Sequence, residues 1–283
     1  MTYVSSDFFV ENCIAFVGGN IEIDNSNFRG NKSCQNRLLN FNGLDKYKLS
    51  IKNSYFNGEY QCPFLNLDNG LKVNIEKSTF EKAYSNEFIG GGGVIRAFYS
   101  NIYIENCIFK DNISMEEGGA FFLDNLLDFK ANKLEIYNNT SMHIGSVAYI
   151  RTSEEINSVA KFTNIKQYDT GNMSGMRLGG LIMNLEKSAN VIIENYYAEN
   201  LINPDSAGCA FIVSDYVRLT IRNMEINKIR GRNIDGLFLF TYKGSDIVFN
   251  VYNVTLNDLY QYNARETASF IWLEDGSSGN IEK

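Results

Sequence analysis

The feature of this 283-residue sequence that most constrains its fold is an internal repeat. The repeat contains a frame of eight residues. In its four clearest copies, position one is Ile, Leu or Val, position three is Ile, and position eight is Phe. Looser copies begin at residues 129, 160, 191, 219 and 249, so a copy starts roughly every 28 residues along most of the chain. The four clearest copies are "IEIDNSNF" (21–28), "LSIKNSYF" (49–56), "VNIEKSTF" (73–80) and "IYIENCIF" (102–109).

Each copy contains short alternating runs that are typical of strands and no run with a helical period, which excludes helical repeat proteins. Two or three strands per copy predict one coil of a parallel β-helix, with positions one, three, six and eight facing inward. Asn at position five fits a bend, because Asn tolerates the left-handed backbone conformation. Stacked coils then form ladders of like residues: Ile23, Ile51, Ile75 and Ile104; Ser26, Ser54, Ser78 and Cys107; Phe28, Phe56, Phe80 and Phe109; and Asn25, Asn53, Asn106, Asn164, Asn195, Asn223 and Asn253.

A second strand follows each copy and is often preceded by glycine, as in "GGAFFLD" (118–124), "GSVAYIR" (145–151) and "GCAFIV" (208–213). The whole pattern resembles the right-handed parallel β-helix superfamily, which includes pectate lyases, polygalacturonases and surface adhesins. The Gly-Gly-Ala-aromatic element is similar to the repeat of the polymorphic outer-membrane proteins. The resemblance covers nearly the whole chain. It implies an all-β, right-handed parallel β-helix of about nine to ten coils, forming a single module over residues 1–283.

The two ends of the sequence suggest that the module belongs to a longer protein. The first residues read as the second half of a coil and the last residues as a coil left incomplete, so we expect a module excised from a multi-repeat chain. The net charge of −7 without basic clusters argues against nucleic acid as a partner. No apolar run reaches 18 residues, so the sequence predicts no transmembrane helix, and no signal peptide is visible.

The residue patterns of polysaccharide-cleaving β-helices are missing from the sequence. The resemblance would imply several Asp and Glu around calcium with an Arg base, or an Asp trio with Gly-His-Gly and Arg-x-Lys motifs, and neither set occurs. His143, the single histidine, falls in a predicted loop. Glu76 and Glu105 stack outward and could hold calcium with a third ligand, but a solvated strand face is the favoured interpretation. The sequence therefore predicts no catalytic residues, metal or cofactor.

The second strands are apolar at consecutive positions, so both of their faces carry apolar side chains. One phase turns Phe122, Tyr149 and Phe211 outward as a stacked aromatic stripe, and the opposite phase exposes their neighbours instead. Exposed stripes of this kind mark protein or carbohydrate contact sites. We predict Phe122, Tyr149 and Phe211 as partner-binding residues. The alternative is that loops at 81–91 and 168–178 cover the stripe.

Two cysteines occupy matching places in adjacent coils. Cys34 and Cys62 lie six residues after Phe28 and Phe56, and the coil spacing of about 4.8 Å falls in the Cα–Cα range of a disulfide. The sequence predicts a bridge between them, with two free thiols as the alternative. Six Asn-x-Ser/Thr sequons are compatible with a secreted glycoprotein, namely those at Asn31, Asn112, Asn138, Asn139, Asn172 and Asn253.

These observations predict a non-catalytic extracellular binding module, secreted or at the cell surface, that docks a protein partner, with carbohydrate the less favoured ligand. In style and composition the chain is similar to the cohesin modules of anaerobic gut-fungus scaffoldins. That similarity implies a dockerin-bearing plant-cell-wall enzyme as partner and a role in cellulosome assembly. Two alternatives stay open: an adhesin-like surface β-helix, and a pectate-lyase-like enzyme whose site the sequence does not reveal.

Overall fold

The chain forms a parallel β-solenoid of about eight turns, and the predicted all-β class is confirmed. The predicted nine to ten coils are slightly too many. The described part of the chain contains no helix, and hence none long and apolar enough to cross a membrane. The computed structural model describes residues 2–4, 7–9, 14–30, 37–86, 91–171, 179–205, 208–232, 235–240, 246–261, 271–272 and 277–282.

The first sheet has 16 strands in the described residues, all paired in parallel between successive coils. Early coils place two short strands on either side of the Asn bend, whereas later coils run through it as one long strand. The strands are β1 (Thr2–Val4), β2 (Asp7–Phe9), β4 (Ile21–Asp24), β5 (Asn27–Arg29), β7 (Lys48–Lys52), β8 (Tyr55–Asn57), β10 (Lys72–Glu76), β11 (Thr79–Glu81), β14 (Asn101–Glu105), β15 (Ile108–Lys110), β18 (Asp128–Tyr137), β21 (Ala160–Tyr168), β23 (Asn190–Asn203), β25 (Arg218–Gly231), β27 (Ile247–Gln261) and β29 (Ser277–Glu282).

The second and third sheets close the coil. The second sheet consists of β3 (Ile14–Val17), β6 (Leu39–Asn42), β9 (Leu65–Asp68), β13 (Ile95–Phe98), β17 (Phe121–Asp124), β20 (Ala148–Arg151), β22 (Met183–Glu186), β24 (Gly208–Val213), β26 (Asp235–Phe240) and β28 (Ile271–Trp272). The short third sheet consists of β12 (Tyr84–Ser85), β16 (Ile113–Ser114) and β19 (Thr140–Ser141).

In-register pairing stacks the predicted inward residues. Ile75 faces Ile51 and Ile104, and Phe80 faces Phe56 and Phe109. The Phe28, Phe56, Phe80 and Phe109 rings stack with centroids 4.6, 4.8 and 5.3 Å apart. All of these side chains are buried in one core that extends along the solenoid. The core therefore consists of ladders of like residues, as predicted.

Serine closes each early coil just after the bend. The Ser54 hydroxyl donates to the carbonyl of Lys52 at 2.6 Å and accepts from the backbone N–H of Ser26 at 3.2 Å. Cys107 takes the serine position one coil after Ser78 and donates its thiol to the carbonyl of Glu105 at 3.3 Å. Burial raises the pKa of the Cys107 thiol to about 12, so this cysteine is a neutral core residue at physiological pH.

The predicted bend is a left-handed corner. Asn195 has φ 56° and Lys77, which replaces Asn in one copy, has φ 49°. Side-chain amides bond from coil to coil along part of the corner, and these four bonds measure 2.9, 3.0, 3.0 and 2.9 Å. They join, in order, Asn132, Asn164, Asn195, Asn223 and Asn253. The ladder is thus continuous only in the later coils. Earlier, Lys77 and Lys133 take the corner position in two copies, and the Asn53 amide donates to Asp24 at 2.8 Å.

The glycines before the second strands have a steric role. Gly118 has φ +66°, and an added Cβ would lie 2.1 Å from the carbonyl oxygen of Phe121. Gly92 and Gly145 share the positive φ and a similarly close approach to a strand backbone, and Gly180 shares the positive φ with a looser approach of 3.1 Å. The loop can approach the strand backbone this closely only because the residue at the point of contact has no side chain.

One fully buried arginine ties three coils together, and the sequence analysis did not foresee it. Arg37 is 1% exposed, and its guanidinium donates to the carbonyl of Gly92 at 2.7 Å and to that of Gly91 at 2.5 Å. A third bond reaches the carbonyl of Leu65 at 3.3 Å. Arg37 therefore anchors the glycine loop from two coils away.

We expect Phe80→Ala to lower the free energy of unfolding by about 3–5 kcal/mol, because it removes a central ring from the phenylalanine stack and leaves a cavity. Chemical denaturation followed by far-UV circular dichroism measures this loss. Thr79→Ala, on the outward face of the same strand, is the matched control and should cost far less. Equal losses for the two variants would contradict the ladder.

We expect Asn195→Ala to be more destabilising than Asn195→Gly by about 1 kcal/mol, because only alanine carries the steric penalty of the left-handed corner. Both variants lose the two amide bonds of Asn195, so their difference isolates the backbone conformation. Denaturation curves of the two proteins give this difference. A glycine variant no more stable than the alanine variant would argue against the corner.

Candidate functional site

The aromatic residues predicted to bind a partner are buried. Phe122 and Tyr149 face each other on β17 and β20, and their rings stack with centroids 5.2 Å apart. Both point away from the main core, yet only 1% of Phe122 and 4% of Tyr149 is exposed. They form a small second cluster with Ile144, Cys209 and Ile212. The predicted exposure of this stripe is therefore corrected: other side chains cover it.

Phe211 lies in the main core rather than on the outer face of the second sheet. It pairs with Met183, which pairs with Ala148, whereas Ile212 takes the outward position. Side chains alternate between faces along a strand, so a shift of one residue in the alignment reverses every position. Aligning "GAF" at 119–121 with "CAF" at 209–211 would have given the correct phase.

A polar network surrounds the covered rings. The Tyr149 hydroxyl donates to Glu186 at 2.5 Å, and the Asn184 amide donates to the same carboxylate at 3.0 Å. Arg151 pairs with Asp124 at 2.7 Å, and its guanidinium lies 5.4 Å from the Phe122 ring centroid. Burial, and then the Glu186 carboxylate, raise the pKa of Tyr149 well above its usual value.

This network spans three adjacent coils on one outward face, which is where a polysaccharide-cleaving β-helix would carry its site. Its carboxylates are already committed, Asp124 to Arg151 and Glu186 to Tyr149 and Asn184. These bonds pair the half-buried charged groups with one another and fix the side chains that surround the Phe122 and Tyr149 rings.

The other charged residues considered in the sequence lie in ordinary surface pairs. His143 Nδ1 is 3.8 Å from Glu116 Oε2. Glu76 and Glu105 face each other across β10 and β14, and each lies near a lysine, at 3.8 and 3.7 Å. Within the described residues no three His, Cys, Asp or Glu side chains are grouped to hold a metal ion.

The outer face of the first sheet carries a long shallow groove. Three depressions of about 720, 360 and 430 Å³ lie on this face. The first two lie side by side over the same coils and share Ile108 and Glu135, and the second and third share Asn164 and Lys166. We call this channel the tyrosine groove. Its floor is one outward row in register across six strands: Ile108, Glu135, Lys166, Tyr197, Glu225 and Thr255.

Three partly exposed tyrosines lie in or beside the groove. Tyr137 and Tyr168 face each other and stack at 5.2 Å, and Tyr197 packs against Tyr168 at 5.8 Å. Tyr137 donates to Glu135 at 2.7 Å, which raises the pKa of Tyr137 to about 12. These contacts hold the rings in fixed positions at the surface.

Two polar corners form the walls of the groove. One wall is the asparagine ladder described above, with Asn164, Asn195, Asn223 and Asn253. The other alternates acid and amide: Asn138 donates to Asp111 at 2.9 Å, and Asn200 donates to Asp169 at 2.6 Å. The groove therefore presents amides and carboxylates on both sides of a mixed floor.

A separate apolar surface lies at the corner that leads from the second sheet back to the first. Backbone bonds join its coils, from Asp45 to the carbonyl of Asn69 and from Leu127 to that of Ser100, at 2.8 and 3.2 Å. Four successive coils each expose one large side chain there. We call this surface the corner ridge: Leu44, Leu71, Tyr99 and Leu127.

The predicted disulfide stays a prediction, since Cys34 lies outside the described residues. Cys62 is buried, and its Sγ packs so closely against Gly30 in the preceding coil that an added Cβ would overlap it.

The sequon asparagines differ in their exposure to solvent. Asn112 and Asn139 are fully buried, and their amides bond to each other at 2.7 Å, so neither is an acceptor for glycan in the folded chain. Asn138 and Asn253 are exposed. The other two sequons, at Asn31 and Asn172, lie outside the described residues.

Sequence reasoning missed both surfaces. A usable signal for the groove was a tyrosine directly after the eight-residue frame in two adjacent copies, at Tyr137 and Tyr168. The corner ridge had no comparable signal, because its residues fall at different offsets in loops of different length.

Comparison with known proteins adds one distant relative. A transmembrane domain-containing protein of Dictyostelium discoideum is 26% identical over an alignment of 268 residues that covers 86% of this chain. The chain spans only 14% of that protein's length. No protein-family model and no solved structure matches the chain.

We expect the stability of the native chain to fall as pH rises above 10, the usual pKa of tyrosine, because burial favours the neutral form of Tyr149. This stabilisation is fully present below pH 10 and is lost as pH rises toward the higher folded-state pKa. Tyr149→Phe should flatten the dependence of unfolding free energy on pH above about 10.

Tyr216→Phe, at an exposed tyrosine, is the control for this experiment and should keep the native pH dependence. Denaturation at each pH supplies the curves. If Tyr149→Phe and Tyr216→Phe gave the same slope, Tyr149 would not be the buried titrating group described here.

Proposed function

We propose that this chain is a non-catalytic extracellular binding module that docks a protein partner through the corner ridge. The observation that carries the proposal is the exposure of four large side chains on successive coils. Leu44 is 52% exposed, Leu71 43%, Tyr99 44% and Leu127 43%. Exposed apolar residues grouped in this way mark protein interaction sites.

The ridge replaces the buried stripe as the docking surface. The backbone of the ridge is fixed by the coil-to-coil bonds, so its side chains are presented without the cost of ordering a loop. Adjacent coils lie about 4.8 Å apart, which brings the four side chains within roughly 15 Å of one another along the axis. That span suits the centre of a standard protein interface.

The non-catalytic part of the proposal is supported by the paired carboxylates of the second sheet. A general acid or base needs a group that can exchange its proton with the substrate. Asp124 and Glu186 instead bond to neighbouring side chains, and the rings beneath them are covered.

A place in a long cell-surface protein is part of the same proposal. The Dictyostelium relative is about seven times the length of the matched region and is named for a transmembrane domain. A solenoid module in such a chain would stand outside the membrane and present its ridge to other proteins. An adhesin-like surface protein is the closest version of this function.

The finer proposal, a scaffoldin cohesin, names the first partner to test. We propose a dockerin-bearing plant-cell-wall enzyme as that partner, on the similarity of style and composition alone. Isothermal titration calorimetry with such an enzyme measures the affinity. Cross-linking at the exposed ridge, followed by mass spectrometry, searches for other protein partners at the surface of the source cells.

We expect Leu71→Ser to weaken partner binding by about thirtyfold, since truncation at an interface hot spot costs about 2 kcal/mol or more. The melting temperature should change little, because Leu71 is exposed. Met115→Ser is the matched control, as Met115 is 40% exposed at a different corner. Equal affinity for the two variants, or binding lost only together with folding, would overturn the docking surface.

A further inference from the structure

We propose that Asn138 carries an N-linked glycan and that the fold prevents its neighbour Asn139 from carrying one. Three sequons meet at the corner that leads from the first sheet to the third, at Asn112, Asn138 and Asn139. The sequence does not choose among them, because all three fit the acceptor pattern. The inference rests on the extracellular part of the proposed function, since N-glycans are added to secreted chains.

The buried bonds of Asn112 and Asn139 exclude these two residues as acceptors. Asn112 Nδ2 donates to the carbonyl of Phe80 at 3.1 Å and to Asn139 Oδ1 at 2.7 Å. Asn139 Nδ2 donates to the carbonyl of Phe109 at 2.9 Å. Both asparagines are 0% exposed. A sugar on either nitrogen would have to fit inside the coil and would break bonds between adjacent coils, so the modified chain could not close this corner.

Asn138 points to solvent from the same corner. It is an exposed residue in the left-handed conformation, with φ 49°, directly before the buried Asn139. Its Nδ2 donates to Asp111 Oδ1 at 2.9 Å. Glycosylation replaces one of the two hydrogens on the amide nitrogen, so the other can keep the bond to Asp111. The modification therefore leaves the contacts between coils at this corner intact.

The space beside Asn138 can hold the first sugar. Asn138 lines the 720 Å³ depression described above, together with Tyr137, Asp169 and Asn200. The depression opens directly beside the amide, so a sugar attached to Asn138 has room without any rearrangement of the coil.

The modification is a group transfer to the amide nitrogen. Its donor is a lipid-pyrophosphate-linked oligosaccharide. A bond forms between Asn138 Nδ2 and the anomeric carbon of the oligosaccharide, while the bond from that carbon to the pyrophosphate oxygen breaks. The nitrogen loses one proton, and the lipid pyrophosphate leaves with the electron pair. The sequon residue Thr140 is only 1% exposed in the folded chain, so the transfer precedes closure of this coil.

Two of the sequons overlap, which gives the glycan on Asn138 a further consequence. The sequon of Asn138 ends at Thr140, and the sequon of Asn139 ends at Ser141. A glycan on Asn138 blocks access to the adjacent Asn139 while the chain is still unfolded. Modification at Asn138 therefore protects the asparagine that the corner must bury.

The test directs the whole chain into the secretory pathway of cultured human cells with an added signal sequence. Mass spectrometry of glycopeptides then identifies the occupied asparagines. We expect a glycan on Asn138 and none on Asn112 or Asn139 in the folded protein. The added signal sequence makes this result independent of where the native protein resides, so it tests the acceptor and leaves the proposed location to a separate experiment.

The matched variants use a second asparagine at the same repeat position. Asn138→Gln should remove the glycan and leave the chain folded. Asn200→Gln is the control, because Asn200 lies two coils later, has φ 59° and donates to Asp169 at 2.6 Å, but belongs to no sequon. Ile202→Thr completes a sequon at Asn200 and should add one glycan there, since the two corners have the same geometry.

Two results would overturn the inference: an unmodified Asn138 in the folded chain recovered from the cells or the medium, or a glycan on Asn112 or Asn139 in that chain. Failure of the docking proposal would be recognised separately. The corner ridge lies at a different corner, so enzymatic removal of the glycan should leave the affinity for a protein partner unchanged, whereas Leu71→Ser should lower it.

Discussion

The parallel backbone ladder between successive coils is the interaction on which the rest of this structure depends. The ladder places each position of the repeat next to the same position in the neighbouring coils, so Phe80 must lie between Phe56 and Phe109. Aligned rings then stack at 4.6–5.3 Å, and an aligned corner lets one amide bond to the next. The ladder holds only if each coil turns at the same point, which is what the left-handed corner residues provide.

Inward positions could be predicted from the sequence because a closed core restricts residue type strongly. Isoleucine at position three and phenylalanine at position eight leave one arrangement in which both are buried, and the structure has it. The glycine pairs were also visible, although their reason, a loop that approaches the backbone near Phe121, became clear only in the structure. Arg37 was not predictable, because its partners are carbonyls 28, 54 and 55 residues away.

Outward positions could not be predicted in the same way. The phase of β24 depends on a single residue, and "GCAFIV" is apolar on both faces, so hydrophobicity does not decide between Phe211 and Ile212. Covering of Phe122 and Tyr149 also depends on Ile144, in the turn that leads into β20, and on Cys209, two coils further along the chain. An aromatic residue outside the main core is thus not necessarily exposed. Its exposure is decided by loops, whose lengths vary from copy to copy.

The same ladder that builds the core also determines what kind of surface this protein can offer. The side chains at one outward position of successive copies form a straight row, one side chain per coil, as Glu135, Lys166 and Tyr197 do. Such a row is rigid, because every backbone group beneath it is bonded to both neighbours. A ligand that repeats at the rung spacing gains one similar contact per coil, whereas a compact ligand gains only a few. Loops at the corners escape this periodicity, and irregular apolar side chains such as Leu71 and Leu127 suit the irregular surface of a folded protein. The solenoid can therefore present periodic rows of side chains on its sheet faces and irregular surfaces at its loops.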